Sequence, residues 1–263
     1  MALPTTNLTV HVDASTTAQL FKTFVSGGPH TGTPVDGDSV MVWASVEGAD
    51  RIFKQTGAAA VPVWRATTPL MPRPCLEFTG TQQLVLTNNV GTGRPGSELI
   101  TASAQTLLIA FYVSVINASG LSYVSDPLIG DNSGYWGAML GGTNVGGYNY
   151  DGSQDYATKS VTVGAPHVLM VRHQGGTLYA SLDGGAESST ASGNTQVLTA
   201  SVAVGRTAQS SYNFTGRLGE IAIYNTALTG TDLTDAVTYF TAKWLVYAPA
   251  GGATAQPYVW GPL

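Results

Sequence analysis

Phe214-Thr-Gly-Arg-Leu-Gly-Glu-Ile-Ala-Ile-Tyr-Asn-Thr-Ala-Leu228 is the stretch that decides the fold. Ile221 and Ile223 fall on one face of a strand by its period of two, and Gly216 and Gly219 allow another backbone to come close. Leu228 begins a return of the chain. Thr229-Gly-Thr-Asp232 then has the spacing of a capping box, with Thr229 as cap and Asp232 at the third helical position. Leu233, Val237, Phe240 and Trp244 follow at helical spacing and form one apolar face. The stretch predicts a strand, a turn and a short helix that covers an edge of a sheet.

Working outward, turn signals separate further runs with strand chemistry. Leu8-Thr-Val-His-Val12 alternates as a half-buried strand, and Leu107 to Ile116 is a continuous apolar run that reads as a central strand buried on both faces. Leu76-Glu-Phe78 and Leu84-Val-Leu86 read as a hairpin-like pair. Tyr135 to Leu140 with Val145 to Tyr150, and His167 to His173 with Thr177 to Leu182, flank Gly-Gly turns as two more. No period of 20 to 50 residues repeats, which argues against a propeller or solenoid. The expectation is an all-β sandwich with one C-terminal helix, as a single domain over 1–247. Residues 248–263 form a Pro/Gly-rich tail ending in Tyr258-Val-Trp260. That tail either packs back on its own domain or docks on a neighbour, with Tyr258 and Trp260 as candidate interface residues.

Composition narrows the function. Only 10 % of the 263 residues are charged, with 11 Lys+Arg against 16 Asp+Glu and a net charge of −5. So few cations give no footprint for nucleic acid or an anionic membrane. The longest apolar run is too short to span a bilayer. Met1 to Asn7 has neither a basic nor an apolar signal region, so no secretory signal is read there. Cys75, between Pro74 and Leu76, reads as a small buried hydrophobe, and Trp43, Trp64 and Trp244 read as core.

The stretch from Phe214 through the helix to Trp244 resembles the closing signature of concanavalin A-like jelly rolls of the laminin-G type. His167 to His173 with Thr177 to Gly184 is similar to that family's hairpin ending in an Asp-Gly turn, and Val202-Ala-Val-Gly-Arg206 to its strand with a terminal glycine. Asp13-Ala-Ser15, Val40 to Trp43 and Leu76 to Gly80 resemble the front half of phage and bacterial members. The resemblance implies a concanavalin A-like, laminin-G-like jelly-roll β-sandwich. This architecture hosts lectins, glycosidases, lyases and structural modules.

Glycosidases of that architecture carry Glu-x-Asp-x-Glu on one strand, so that alternation aims three carboxylates at a cleft. The nearest analogue here, Glu220-Ile-Ala-Ile-Tyr224, has Ala and Tyr at the second and third positions. Glu220 is therefore expected to be structural, bonded to backbone or Arg217. His167 and His173 share a strand face without marking a lyase site. No catalytic residue is assigned, and the chain is expected not to be an enzyme. Asp126 with Asp131, and Asp151 with Asp155, lie in Gly/Ser loops that suit either calcium or plain turns, and no other cofactor is implied. Trp136, Tyr148, Tyr150 and Tyr156, with Asn132, are the candidate carbohydrate contacts, subunit packing being the other use of such rings.

The expected function is a structural and adhesive protein of a bacteriophage virion: a capsid decoration, head-fibre or tail component, made in the host cytoplasm. Its partners would be copies of itself, other virion proteins and cell-surface glycans, with no nucleic acid and no membrane insertion. A free-standing lectin-like module is the alternative, and a glycosidase or lyase stands behind it.

Overall fold

The computed structural model describes residues 2–26, 29–47, 51–55, 61–66, 68, 70–87, 104–150, 152–193 and 200–245. Tyr258, Trp260, the tail and Asp151 lie outside the described residues. In chain order the strands begin with β1 (Leu8–Asp13), β2 (Leu20–Phe21), β3 (Val42–Ala44), β4 (Ile52–Lys54), β5 (Val63–Arg65), β6 (Cys75–Thr79), β7 (Leu84–Thr87) and β8 (Ala104–Val115). They continue with β9 (Asp126–Asp131), β10 (Trp136–Gly141), β11 (Asn144–Tyr150), β12 (Gln154–Ser160), β13 (Pro166–Gln174) and β14 (Thr177–Leu182). The last are β15 (Ser188–Ala191), β16 (Val202–Val204) and β17 (Thr215–Tyr224), followed by helix α1 (Gly230–Trp244).

All pairings are antiparallel, and they make two sheets. One runs β15-β14-β13-β8-β17-β6-β5 with β1 also on β17; the other runs β12-β11-β10-β9-β16-β7-β4-β3-β2. Their inner faces share a core that includes Trp43, Phe53, Phe78, Phe111, Trp136 and Phe214. Strands β6 and β7 therefore belong to different sheets, β6 pairing β5 and β17 while β7 pairs β4 and β16. The hairpin expected of them does not form. Thr79 to Gln83 carry the chain across the sandwich, which two short apolar runs cannot reveal.

The decisive stretch is β17. One edge pairs with β8 along its length, and the other changes partner midway: Thr215 to Leu218 pair with β6, and Glu220 to Tyr224 with β1. Gly219 sits at the change, where the register with β8 also shifts and its carbonyl accepts the Ala14 N–H at 2.8 Å. A side chain at Gly219 has no room, because its Cβ would lie 2.4 Å from the Trp244 ring. Strand β8 is buried on both sides, as its continuous apolar run requires. Leu107, Ile109 and Phe111 enter the inter-sheet core, while Leu108, Ala110 and Tyr112 lie in a second core beneath α1 with Phe240 and Trp244. Cys75 is buried in that second core, and burial pushes its thiol up to about 12.

Two local expectations are corrected. Thr229 caps α1 in extended backbone conformation but makes no side-chain hydrogen bond, so the capping box is not closed. Glu220 binds neither backbone nor Arg217, which pairs instead with Glu77 at 2.6 Å. Fully buried, Glu220 takes Trp244 Nε1 at 2.6 Å and Lys243 Nζ at 2.8 Å on Oε2. On Oε1 it takes His11 Nε2 at 2.6 Å and Tyr239 Oη at 3.0 Å. Lys243 also reaches Asp13 Oδ2 at 2.6 Å. Burial alone would raise Asp13, but Lys243 outweighs it and holds the carboxyl below its ordinary range. A buried ion network of this kind costs about 3–5 kcal/mol when one partner is removed. It fastens α1 to both strands of the β1–β17 pairing, at its Asp13–Glu220 end.

Candidate functional site

Residue parity sorts the aromatic rings around β10 to β12. Trp136, Ala138 and Leu140 face inward, and Trp136 is only 1 % exposed in the inter-sheet core. Its assignment to a carbohydrate or subunit contact is therefore corrected: Trp136 is core. On β11, Val145 and Gly147 face inward, Gly147 directly against Val171, so Tyr148 faces out. Tyr148 pairs across to Gly137 on one side and Tyr156 on the other.

Facing out does not leave Tyr148 free. Its ring stacks between Tyr156, with centroids 5.2 Å apart, and Tyr123, at 6.4 Å, and it is 1 % exposed. Burial raises its phenol far above the ordinary value. Tyr148 is thus the base of a tyrosine stack and not a contact residue. Tyr156, half-buried, forms the outer layer and donates to Gln154 Oε1 at 2.6 Å. Beside the stack, half-buried Tyr135 and Tyr150 lie face to face, 5.5 Å apart and only 14° from parallel. The Tyr150 N–H donates to the Tyr135 carbonyl at 2.9 Å.

The two carboxylates considered for calcium hold the loops that carry these rings. Asp131 accepts from the backbone N–H groups of Ser133, Tyr135 and Trp136, at 2.9, 2.7 and 2.7 Å. Asp126 accepts from Asn117 and Ala118 N–H at 2.5 and 3.3 Å, fixing the loop that leads to Tyr123. Burial raises both carboxyls above their ordinary range even though these bonds oppose the shift. They stand at opposite ends of β9, about 16 Å apart at strand rise. Asp155 is on β12, bonded by Ser153. Among the described residues no three of His, Cys, Asp and Glu gather as a metal would need. Asp151, the fourth residue considered for calcium, lies outside the described residues, Asp155 is bonded by Ser153, and Asp126 and Asp131 organise loops. Asn132 joins them: its Oδ1 accepts the Ala208 N–H at 2.9 Å, tying the β9–β10 loop to the loop after β16. Glycine is needed at Gly134, where φ is +75° and the Tyr123 ring lies 3.2 Å from where a Cβ would be.

Sequence reading misses Tyr123 as a member of this cluster. It lies 25 residues before Tyr148, in a loop of no repeating pattern, and only the tertiary fold stacks the two. What results is two tyrosine stacks, Tyr156–Tyr148–Tyr123 on the outer face of the sheet and Tyr135–Tyr150 beside it, with Tyr135 also packed against the inter-sheet core. Such rings offer apolar faces with hydroxyl groups at the rim, the chemistry that suits a sugar ring.

Comparison with known proteins agrees with the architecture. A family model described as the concanavalin A-like lectin/glucanases superfamily matches residues 87–234. No curated protein sequence matches the chain. Among solved structures, the Trypanosoma rangeli sialidase in complex with the inhibitor DANA aligns with TM-score 0.53 and 11 % identity, covering 91 % of this chain and 33 % of the sialidase. Domain 4 of AbnA, an extracellular GH43 arabinanase from Geobacillus stearothermophilus, in complex with arabinotriose, aligns with TM-score 0.51 and 13 % identity over 89 % of this chain and 98 % of that domain. The binding domain of botulinum neurotoxin DC in complex with SialylT gives TM-score 0.56 and 9 % identity, covering 89 % of this chain and 52 % of that one. The chain thus spans about a third of the sialidase and about half of the neurotoxin domain.

Identities this low speak for the fold. The neighbours also correct the expectation that the chain is not an enzyme. A sialidase and a domain of an arabinanase share its architecture, and the missing carboxylate triplet excludes one catalytic pattern, not enzymatic activity. With more than half of its length matched by the family model and both sheets in place, the chain belongs to the concanavalin A-like lectin/glucanases superfamily.

Proposed function

We propose that the chain is a carbohydrate-binding jelly-roll module that holds a glycan against the tyrosine stacks on and beside the outer face of β10 to β12. The observation that carries this reading is the Tyr135–Tyr150 pair, half-exposed, nearly parallel and held from beneath by the Asp131 hydrogen bonds. A pre-set aromatic pair offers a flat apolar surface without the entropy cost of ordering it on binding. Two structures of the same fold, the arabinanase domain with arabinotriose and the neurotoxin domain with SialylT, support a ligand of this class. A glycan array followed by calorimetry on the best hit tests it. Tyr150→Ala should weaken binding about 10-fold, a loss of about 1.4 kcal/mol, with the melting temperature nearly unchanged. An array without signal, or a variant that binds as the parent does, rejects the reading.

The composition supports a setting for this module. A chain with 10 % charged residues presents a nearly neutral surface, suited to close contact with other copies. We propose that it works in a multi-copy particle such as a phage virion, as a decoration, head-fibre or tail protein. Light scattering on the purified chain, and its release or retention when candidate virions are dissociated, tests that role. A monomer that associates with no particle counts against it.

A further inference from the structure

The opposite end of the same sheet carries a second cluster. After β2 the chain folds back as a flap: Thr23 and Thr31 exchange backbone hydrogen bonds at 3.1 and 3.3 Å, and Lys22 N–H reaches the Gly32 carbonyl at 2.9 Å. The flap brings Phe24 and His30 beside Phe21 and Lys54. The His30 ring stacks on Phe24 at 5.3 Å and meets Phe21 edge-on at 5.5 Å. Lys54 Nζ sits 3.5 Å over the centre of the Phe24 ring. All four side chains are half-buried.

The polar groups of this cluster are donors. His30 Nδ1 accepts the Val25 N–H at 3.3 Å, which leaves the proton of the neutral ring on Nε2. Lys54 offers three N–H groups and has no carboxylate partner among the described residues. The neighbouring Asp38 is taken by Lys22 at 3.2 Å and by Val35 N–H. Burial lowers Lys54, and burial with the nearby Lys54 charge lowers His30, as expected of donors that lack a counter-charge. The ring of Phe24 compensates the ammonium in part. An anion would complete the compensation.

We propose that Phe21, Phe24, His30 and Lys54 form a second subsite that takes an acidic sugar. Its carboxylate or sulfate accepts from Lys54 Nζ and His30 Nε2, and its apolar face rests against the half-buried rings of Phe21 and Phe24. The sugar half of this proposal rests on the carbohydrate reading above; the anion half stands on the cluster alone. The pairing register carries one line across the sheet from Phe21 through Lys54, Ala203 and Gly137 to Tyr148. Five strand spacings separate Lys54 from Tyr148, about 24 Å, so the two subsites are separately testable.

The experiment titrates the folded chain with methyl glucuronide, glucose 6-sulfate and methyl glucoside, followed by amide chemical shifts. The same titrations are run on Lys54→Met, Lys54→Gln and Tyr150→Ala, each checked for folding by circular dichroism. One or both acidic ligands should bind at least 10-fold more tightly than the neutral one and shift residues of the flap. Both Lys54 variants should reduce acidic binding at the flap to the level of the neutral ligand, and Tyr150→Ala should leave the acidic affinity read from the flap shifts unchanged. Which acidic ligand is preferred assigns the site to carboxylated or sulfated sugars. Acidic binding that survives when no neutral glycan binds anywhere would uphold this subsite while the tyrosine reading fails. Equal binding of acidic and neutral ligands, or an acid preference untouched by the Lys54 variants, overturns the proposal.

Discussion

Substituting Gly219→Ala tests how β17 and α1 are held together. The added Cβ would lie 2.4 Å from two carbons of the Trp244 ring, where ordinary contact begins near 3.4 Å. The indole must therefore retreat by about 1 Å. It cannot do so and keep its 2.6 Å bond from Nε1 to Glu220 Oε2. Overpacking of this sort costs about 1–3 kcal/mol, and losing a hydrogen bond to a charged group about 1.5–3 kcal/mol. The backbone at Gly219 is not in the left-handed region, so alanine brings no conformational penalty of its own. The expected total is about 2.5–6 kcal/mol, or roughly 5–20 °C in melting temperature for a chain of this length. Thermal unfolding should be followed in the parent, Gly219→Ala, Trp244→Ala and the double variant. Trp244→Ala alone should cost about 3–5 kcal/mol. In its background the glycine change should become nearly neutral, because the clash is gone. If Gly219→Ala costs as much without the indole as with it, the steric account is wrong.

Three further outcomes are expected. Trp136→Ala, in the core, should lose about 3–5 kcal/mol by chemical denaturation, whereas Tyr150→Ala should alter glycan affinity and leave unfolding nearly unmoved; the opposite pattern would reverse their assignments. Asp131→Ala strips three backbone N–H groups of their acceptor, costing about 2–4 kcal/mol. The loss should be the same with millimolar calcium as with chelator, and a calcium-dependent loss would restore a metal at the site. His167 is disfavoured as a cation by burial, but Asp183 at 2.7 Å and the Thr162 carbonyl outweigh that and raise it above 6.5. Its stabilisation is complete below the unfolded value and is lost as pH rises through the folded one. Asp13, held low by Lys243 against burial, acts oppositely: its share is present at neutral pH and lost as pH falls below 3.8. His167→Gln should flatten the alkaline side of a melting-temperature profile, and an unchanged slope there would refute the His167 account.

The fold was legible because its signal is carried by parity and by runs. Ile221 and Ile223 mark the face of β17, the unbroken run of β8 marks a strand between two cores, and Phe240 and Trp244 mark the seat of α1. The site was half legible. Adjacent Tyr135 and Trp136 both read as aromatics of one hairpin strand, yet neighbours in extended chain face opposite ways, and only the pairing register tells that Trp136 is swallowed by the core. An aspartate in a Gly/Ser loop fits a cation and a set of N–H groups equally well. At Asp126 and Asp131 the N–H groups win because the loops turn back on the carboxylates. Glu220 showed the reverse limit. Its four partners come from β1 and α1, more than two hundred residues apart, so no local pattern could reveal them.

The pairing of β1 with β17 has a consequence in time. Thr9 bonds the Ile223 carbonyl across a separation of 214 residues. During synthesis at about 5–20 residues per second, the first strand waits roughly 10–40 s for the partner that completes its sheet. Its alternating apolar side chains and open backbone edge are unprotected through that interval. The yield of this protein in a cell should therefore depend on translation speed and on chaperones that shelter nascent chains, more than its finished stability would suggest.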